Sequence, residues 1–395
     1  MCQSLDSLVA EALRNNREIL AAQKRYEAAR QRPDQESALP DPTVSLGYTA
    51  NGGPWPVAGI GREPTANAGI MVSQEMPFPG KRKLRGEVAD RAADAEFQQY
   101  LSVRLGVVSR VKIAYHELHH ARVAERFVKR YQELLHDFLE IAQARYAVGR
   151  AAQQDVFKAQ TQYTIYETQL LRYRSDAIAR ESEINALLNR PQGGHIEVPV
   201  DMPEGELRVT LEDLLAHART HAPVLAKEQK LIERGEVASH LARKDYYPDY
   251  TVSGGYFNMG GLPAMWQFRV DFKVPAYFWR KQRAGVNEQA FLVSEARRNY
   301  EAADVSIQQR IQEDYTVATT AKKLMELYRK AVIPEARLAL ESSRASYETG
   351  SLDFLSLLTN FQTVVDYELM YHEETMRFHV AMARLEEMTT MEVGL

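Results

Sequence analysis

A chain of 395 residues with 45% hydrophobic content is long enough for two or three ordinary domains, yet it holds no run of about eighteen apolar residues, which excludes a membrane-spanning helix. Its net charge is −4, and its basic residues are scattered rather than clustered, which excludes the electrostatic footprint of a nucleic-acid partner. The opening MCQSLDSLVAEAL is amphipathic from the start, unlike the apolar core of an export signal; a signal removed ahead of Met1 would leave no trace in it.

The sole cysteine is Cys2. A cysteine in that position is what a processed bacterial lipoprotein presents, so lipidation of Cys2 is expected; the alternative is an inert thiol on a frayed end. Gln3 is not the aspartate associated with inner-membrane retention.

Leu5, Leu8, Val9, Ala12, Leu13, Ile19 and Leu20 recur at helical spacing and predict one helix over residues 5–32, stopped by Pro33. Val44, Leu46 and Tyr48 then alternate with Ser45, Gly47 and Thr49, predicting a strand over about 43–50. A Gly/Pro-rich loop follows, and a second strand is predicted over about 67–76. Gly59-Ile60-Gly61 lacks the third glycine of a dinucleotide fold, and Gly80-Lys81 lacks the flanking residues of a phosphate loop.

From Leu84 to Val148 there is no proline, and an unbroken helix of that length would run about 95 Å. Between Val111 and Ala142 its apolar band is wider than a coiled-coil seam, which predicts a helix packed between two neighbours. Gly149 ends it, and a return helix is predicted over about 154–189.

Residues 191–208 hold three prolines and three glycines and read as a linker, after which the chain repeats itself. SLDSLVAEALRNNREIL is matched by TLEDLLAHARTHAPVL, PDPTVSLGY by YPDYTVSGGY, VSQEMP by VDFKVP and ARYAVG by ASYETG, so that Gly149 lies over Gly350. Matches in the same order predict two tandem copies of helix, strand, strand, long helix and return helix: residues 1–190 and 209–395, joined by a linker near the equator. The second copy supplies strands over about 249–258 and 265–275 and a turn at about 350.

Residues 266–274, WQFRVDFKV, are the clearest strand in the chain. Trp266, Phe268, Val270, Phe272 and Val274 fall on one face, and Gln267, Arg269, Asp271 and Lys273 on the other. One face is apolar and the other charged, the pattern of a membrane-barrel strand with a wet lumen. Ser45, Thr49, Ser73, Thr251 and Ser253 would line that lumen with Gln267, Arg269, Asp271 and Lys273. Four strands cannot close, and open edges are not tolerated in lipid. The expected fold is therefore mainly α with a transmembrane β part, a homotrimer whose twelve-stranded β-barrel continues into an α-helical barrel of twelve columns.

Two other classes compete. His116-Glu117-Leu118-His119-His120 satisfies the H-E-x-x-H pattern, which would place two imidazoles for zinc with Glu117 as general base. A metallopeptidase needs a third ligand and a cleft, and a long straight helix offers no local fold-back to supply them. A soluble coiled-coil scaffold would use the helices but leave the strands unexplained.

The tandem unit resembles the TolC family of outer-membrane efflux ducts along essentially the whole chain, on PFPGKRKLRGEVA, ARYAVGRAAQQDVFKAQ and ASYETGSLDFLSLL. The form Q-x-x-P-F-P-G-K-R, from Gln74 to Arg82, is most similar to the heavy-metal and cation efflux branch, the CzcC and CusC group. The resemblance implies a passive conduit, without cofactor or catalysis, from the periplasm across the outer membrane. Its partners would be outer-membrane lipid, a periplasmic adaptor (membrane fusion) protein and an inner-membrane pump of the RND type. It also implies a gating and adaptor-binding tip around Gly149, Arg150, Gln154, Asp155, Tyr347, Glu348, Gly350 and Asp353. Ser356 and Thr359 are uncharged where other members carry an aspartate ring, so cation block at that ring does not transfer.

Overall fold

The computed structural model describes residues 4–50, 53, 55, 57–200, 202 and 205–393, so the lipidation expected at Cys2 lies outside the described residues. The chain divides into two units, each drawing on both halves of the sequence. The helical unit comprises Met1–Ala22, Tyr100–Pro223 and Asp304–Leu395; the strand unit comprises Gln23–Gln99 and Val224–Ala303.

The helix predicted over 5–32 is broken. Helix α1 spans Leu5–Asn15, capped by the Ser4 hydroxyl, and α2 spans Arg17–Ala29. Between them Asn16 takes an extended conformation, and its carbonyl oxygen Oδ1 accepts from the backbone N–H groups of Glu18 and Ile19 while its amide donates to the Leu187 carbonyl at 2.8 Å. A buried asparagine that caps the next helix outweighs the continuous apolar spacing. Pro33 does not stop the chain either: it sits in the first turn of a short α3, Arg32–Ser37, where its missing N–H costs nothing.

Four strands follow the alternating text: β1 Thr43–Thr49, β2 Asn67–Met76, β3 Asp249–Asn258 and β4 Met265–Lys273. They form one antiparallel sheet in the order β1-β2-β3-β4, with β1 and β4 at its edges. Helix α4, Lys81–Ala147, is continuous over 67 residues, and α5, Gln153–Leu187, returns from it. Helices α6, Leu211–His221, and α7, Pro223–Lys244, repeat the break of α1 and α2, with Thr210 capping as Ser4 does and Ala222 extended where Asn16 is.

The second long helix is interrupted. Helix α8, Lys281–Leu327, passes through a π-helical turn at Tyr328–Val332 into α9, Ile333–Thr349, before α10, Phe354–Thr389, returns. Pro334 explains the turn: it has no N–H to donate and its ring clashes with the carbonyl four residues back, which one wider turn relieves.

In the helical unit the broad face of α4 is buried along Val111, Leu118, Val128, Leu135 and Phe138. One cluster joins it to Leu8, Ala12 and Ile184; another joins it to Tyr166, Phe354 and Phe361. Leu8 and Leu214 are both fully buried, as Ala12 and Ala218 are, in the first and second halves of the chain.

Candidate functional site

The register of the sheet decides which side chains share a face. Directly opposed residues lie on the same side. Trp266 pairs with Tyr256, Tyr256 with Ile70 and Ile70 with Leu46; one row along, Phe268, Gly254, Val72 and Val44 align. Two further rows hold Val270 with Val252 and Phe272 with Tyr250. This apolar face is open: Trp266 and Leu46 are 79% exposed, Phe268 75% and Phe272 65%.

The opposite face is polar. Lys273 pairs with Asp249, Asp271 with Thr251, and Arg269 with Ser253, which pairs with Ser73. Ser253 Oγ donates to Ser73 Oγ at 3.0 Å, and Arg269 Nε donates to Asp271 Oδ2 at 2.8 Å. Gln267 lies on this face opposite Gly255, in the row that reaches Met71 and Ser45.

The turn after β2 holds a charge that sequence reasoning dismissed. Lys81 is 3% exposed and donates to both Asp249 oxygens, at 2.9 and 3.1 Å, with Asp245 at 3.3 Å. Asp249 also accepts from the Phe78 backbone N–H at 2.7 Å, and the Phe78 ring stacks on Tyr247. Gly80 at φ 92° reverses the chain so that Lys81 points inward, and Arg82 Nε donates to the Ser37 carbonyl at 2.8 Å. The P-F-P-G-K-R text is thus a clamp fastening the start of α4 to the start of β3. Only the family-like spelling of the motif signals it, because its partner lies 168 residues away.

In the helical unit both hairpins turn on left-handed glycines, Gly149 at φ 70° and Gly350 at φ 82°. Arg150 and Ser351 backbone N–H groups donate back to the Arg145 and Ser346 carbonyls, closing each helix end in the same way. Asp353 caps α10, accepting from the Ser356 N–H at 2.8 Å and its hydroxyl at 3.0 Å, and these bonds lower its carboxyl below the usual range. Asp155 is not the cap of α5; that position is Ala152, and Asp155 stands half-buried in the first turn. Gln154 and Arg150 are exposed.

Arg145, which sequence reasoning missed, ties the two hairpins together. Its guanidinium lies 4.5 Å from the Tyr347 ring and donates to the Glu348 carbonyl at 2.7 Å. Glu348 in turn accepts from Arg344 at 3.2 Å. Tyr347 is buried and edge-on to Phe354. Burial raises its phenol; the charge of Asp155 adds to that and Arg145 opposes it. Arg145 stands over Ser346 in the matched ARYAVG and ASYETG texts, and that mismatch was the available signal.

The H-E-x-x-H residues are engaged elsewhere. His116 stacks on His379 and places Nδ1 3.2 Å from Met202 Sδ; His120 meets Tyr173 edge-on; Glu117 pairs with Arg180 at 3.1 Å. Burial raises the Glu117 carboxyl, with Arg180 opposing. Among the described residues no three His, Cys, Asp or Glu side chains gather around a common metal position.

A sheet with one apolar open face and one charged face, together with long helical hairpins closed by glycine turns, defines the architecture of an outer-membrane duct. Residues 8–190 match the model of the outer membrane efflux protein family. The chain is 22% identical to the probable outer membrane lipoprotein SilC of Salmonella typhimurium, over 91% of this chain and 81% of SilC. Its fold superposes on the outer membrane protein VceC of Vibrio cholerae with a TM-score of 0.83 at 17% identity, covering 98% of this chain and 96% of VceC. For CusC, described as forming a transmembrane channel, the TM-score is 0.79 at 14% identity, covering 98% and 92% of the two chains.

Proposed function

We propose that this protein is the outer-membrane channel of a tripartite efflux system, conducting substrates passively from a periplasmic adaptor and an inner-membrane RND-type pump to the exterior. The observation that carries the reading is the register of the sheet, which gathers Val44, Leu46, Ile70, Val72, Tyr256, Trp266, Phe268 and Phe272 on one exposed face and Arg269, Asp271 and Lys273 on the other. Such a face suits lipid, and its partner suits a water-filled lumen.

Geometry then argues for sister subunits. Strands about 4.8 Å apart and tilted about 40° give a four-stranded cylinder roughly 8 Å across, less than the ~10 Å that two packed sheets require. Twelve strands give about 24 Å between backbones, wide enough for water. Three chains, each contributing the tandem unit of residues 1–190 and 209–395 across the linker at 191–208, supply a twelve-stranded barrel and twelve helical columns. The like burial of Leu8 with Leu214 and of Ala12 with Ala218, and the like caps at Ser4 and Thr210, support the repeat.

Gly149, Arg150, Gln154, Asp155, Tyr347, Glu348, Gly350 and Asp353 form the gating and adaptor end in this reading, with Arg145 as the added tie. Gln267, Arg269, Asp271 and Lys273 line the lumen, and their mixed charge leaves selectivity to the pump and adaptor. Heavy-metal cations are the proposed substrate class, after the branch to which the Gln74–Arg82 text is similar. The relative SilC is called a lipoprotein, which supports lipidation at Cys2. Single-channel recording in planar bilayers tests the reading: the purified protein gives discrete conductance steps, and Asp155→Ala raises the leak. A protein that inserts without conducting contradicts it.

A further inference from the structure

The exposed apolar face of the sheet runs into a groove. At the end where β2 and β4 finish and α4 and α8 begin, a groove of about 570 Å³ is walled by Leu39, Met76, Phe78 and Tyr250 and carries Arg82 and Lys83. Met76, Tyr250 and Phe272 share the last apolar row of the sheet, so the groove continues that face beyond its edge.

We propose that the groove binds one anionic glycerophospholipid per chain, its phosphate held by Arg82 and Lys83 and its acyl chains laid along Met76 and Tyr250. The assignment rests on the duct reading, which puts the apolar face in lipid.

Charge carries the choice of lipid. Residues 76–86 hold four cations and residues 274–287 three, with no acid in either stretch, although the whole chain is net negative. Lys81 is spent on Asp249, and Lys83 reaches Glu87 only at 3.6 Å. Arg82, Arg85, Arg280, Lys281 and Arg283 form no ion pair among the described residues. Arg82 donates through Nε to the carbonyl of Ser37, itself a wall residue, which fixes its guanidinium at the groove. A guanidinium matches the paired oxygens of a phosphate, and the ammonium of Lys83 adds a point charge. A zwitterionic headgroup brings its own cation and gains little from this surplus, whereas a net negative one gains about fivefold in binding per cation.

Depth agrees. At about 3.4 Å per residue and a tilt near 40°, the row of Met76 lies about 10 Å from the middle apolar row, that of Phe268, and half the apolar band of such barrels is about 12 Å. Arg82 and Lys83, past Pro77 and Pro79, therefore stand at the level of the headgroups. Tyr277, Phe278 and Trp279, exposed and edge-on to one another after β4, form the aromatic girdle expected at the same level.

The test is native mass spectrometry of the full-length protein in nonionic detergent, titrated with dioleoyl phosphatidylglycerol or dioleoyl phosphatidylcholine. One phosphatidylglycerol is retained per chain, at least fivefold more tightly than phosphatidylcholine. Arg82→Gln and Lys83→Gln each lower that preference at least threefold. Lys83 is 81% exposed, so its variant keeps the test decisive should Arg82→Gln fail to fold. Arg297→Gln, which removes a cation paired with Glu236 on α8, leaves the preference unchanged. Equal retention of the two lipids, a preference unmoved by Lys83→Gln, or displacement of phosphatidylglycerol by equimolar lipid A would each overturn the assignment. Conductance of the same preparation in phosphatidylcholine bilayers reports separately on the duct: discrete steps without lipid preference refute the lipid site alone, and their absence refutes the reading beneath it.

Discussion

Replacing Phe268 by arginine is the sharpest probe of the two-faced sheet. Phe268 lies in the middle row of the apolar face, between the rows of Trp266 and Val270, with Gly254, Val72 and Val44 beside it. At about 3.4 Å per residue and a tilt near 40°, the five rows from Phe272 to Tyr48 rise roughly 21 Å. With side-chain width added, that fills the apolar band of about 25 Å in such barrels and puts Phe268 near the bilayer midplane. Arginine there costs about 2–4 kcal/mol per chain, so roughly 6–12 kcal/mol for a trimer. Gln267→Arg, one residue away on the polar face, costs under about 1 kcal/mol. Urea unfolding from phospholipid vesicles, followed by tryptophan fluorescence, measures both. Equal costs at the two positions, or a cost under about 1 kcal/mol for Phe268→Arg, would refute the facing.

Lys81→Met strands the Asp249 carboxylate and lowers stability by about 3 kcal/mol, the lower end for a broken buried pair because Asp249 keeps 18% side-chain exposure; the double variant with Asp249→Leu recovers most of it in thermal melts. Gly350→Ala forces an L side chain into a left-handed turn and costs about 1–2 kcal/mol, read by denaturant midpoint, whereas a Gly350→Asn variant costs less. The Arg190 hydrogen bond holds the Glu11 carboxyl below its ordinary range, so the folded state binds this proton less readily than the unfolded chain. Its contribution is therefore complete above pH ~4.5 and disappears as pH falls through the lowered value, at up to about 1.4 kcal/mol per pH unit. Arg190→Ala flattens that part of the stability profile between pH 5 and 3, in the ranges about which melts are compared.

What could be read from the text was what period and glycine encode. The strict alternation at 266–274 follows from the pleat, and β4 occupies Met265–Lys273. Gly149 and Gly350 were legible because a left-handed residue ends a helix and few others tolerate it. Features that depend on distant partners were not. Asn16 reads as one more polar residue on a helix until its amide meets Leu187, and Lys81 reads as a surface lysine until Asp249 folds onto it. Pro334 was visible as a helix breaker, but only packing selects a π-turn over a kink. At the tip, the family resemblance points to Asp155, whereas Arg145, which bridges the two hairpins, is marked by no motif.

Four strands with two free edges leave backbone groups unpaired in lipid unless sister subunits cover them. Native mass spectrometry of the detergent-extracted protein measures this directly: a single species at three times the 44.9 kDa chain mass is the predicted result, and a stable monomer with no larger species would contradict it.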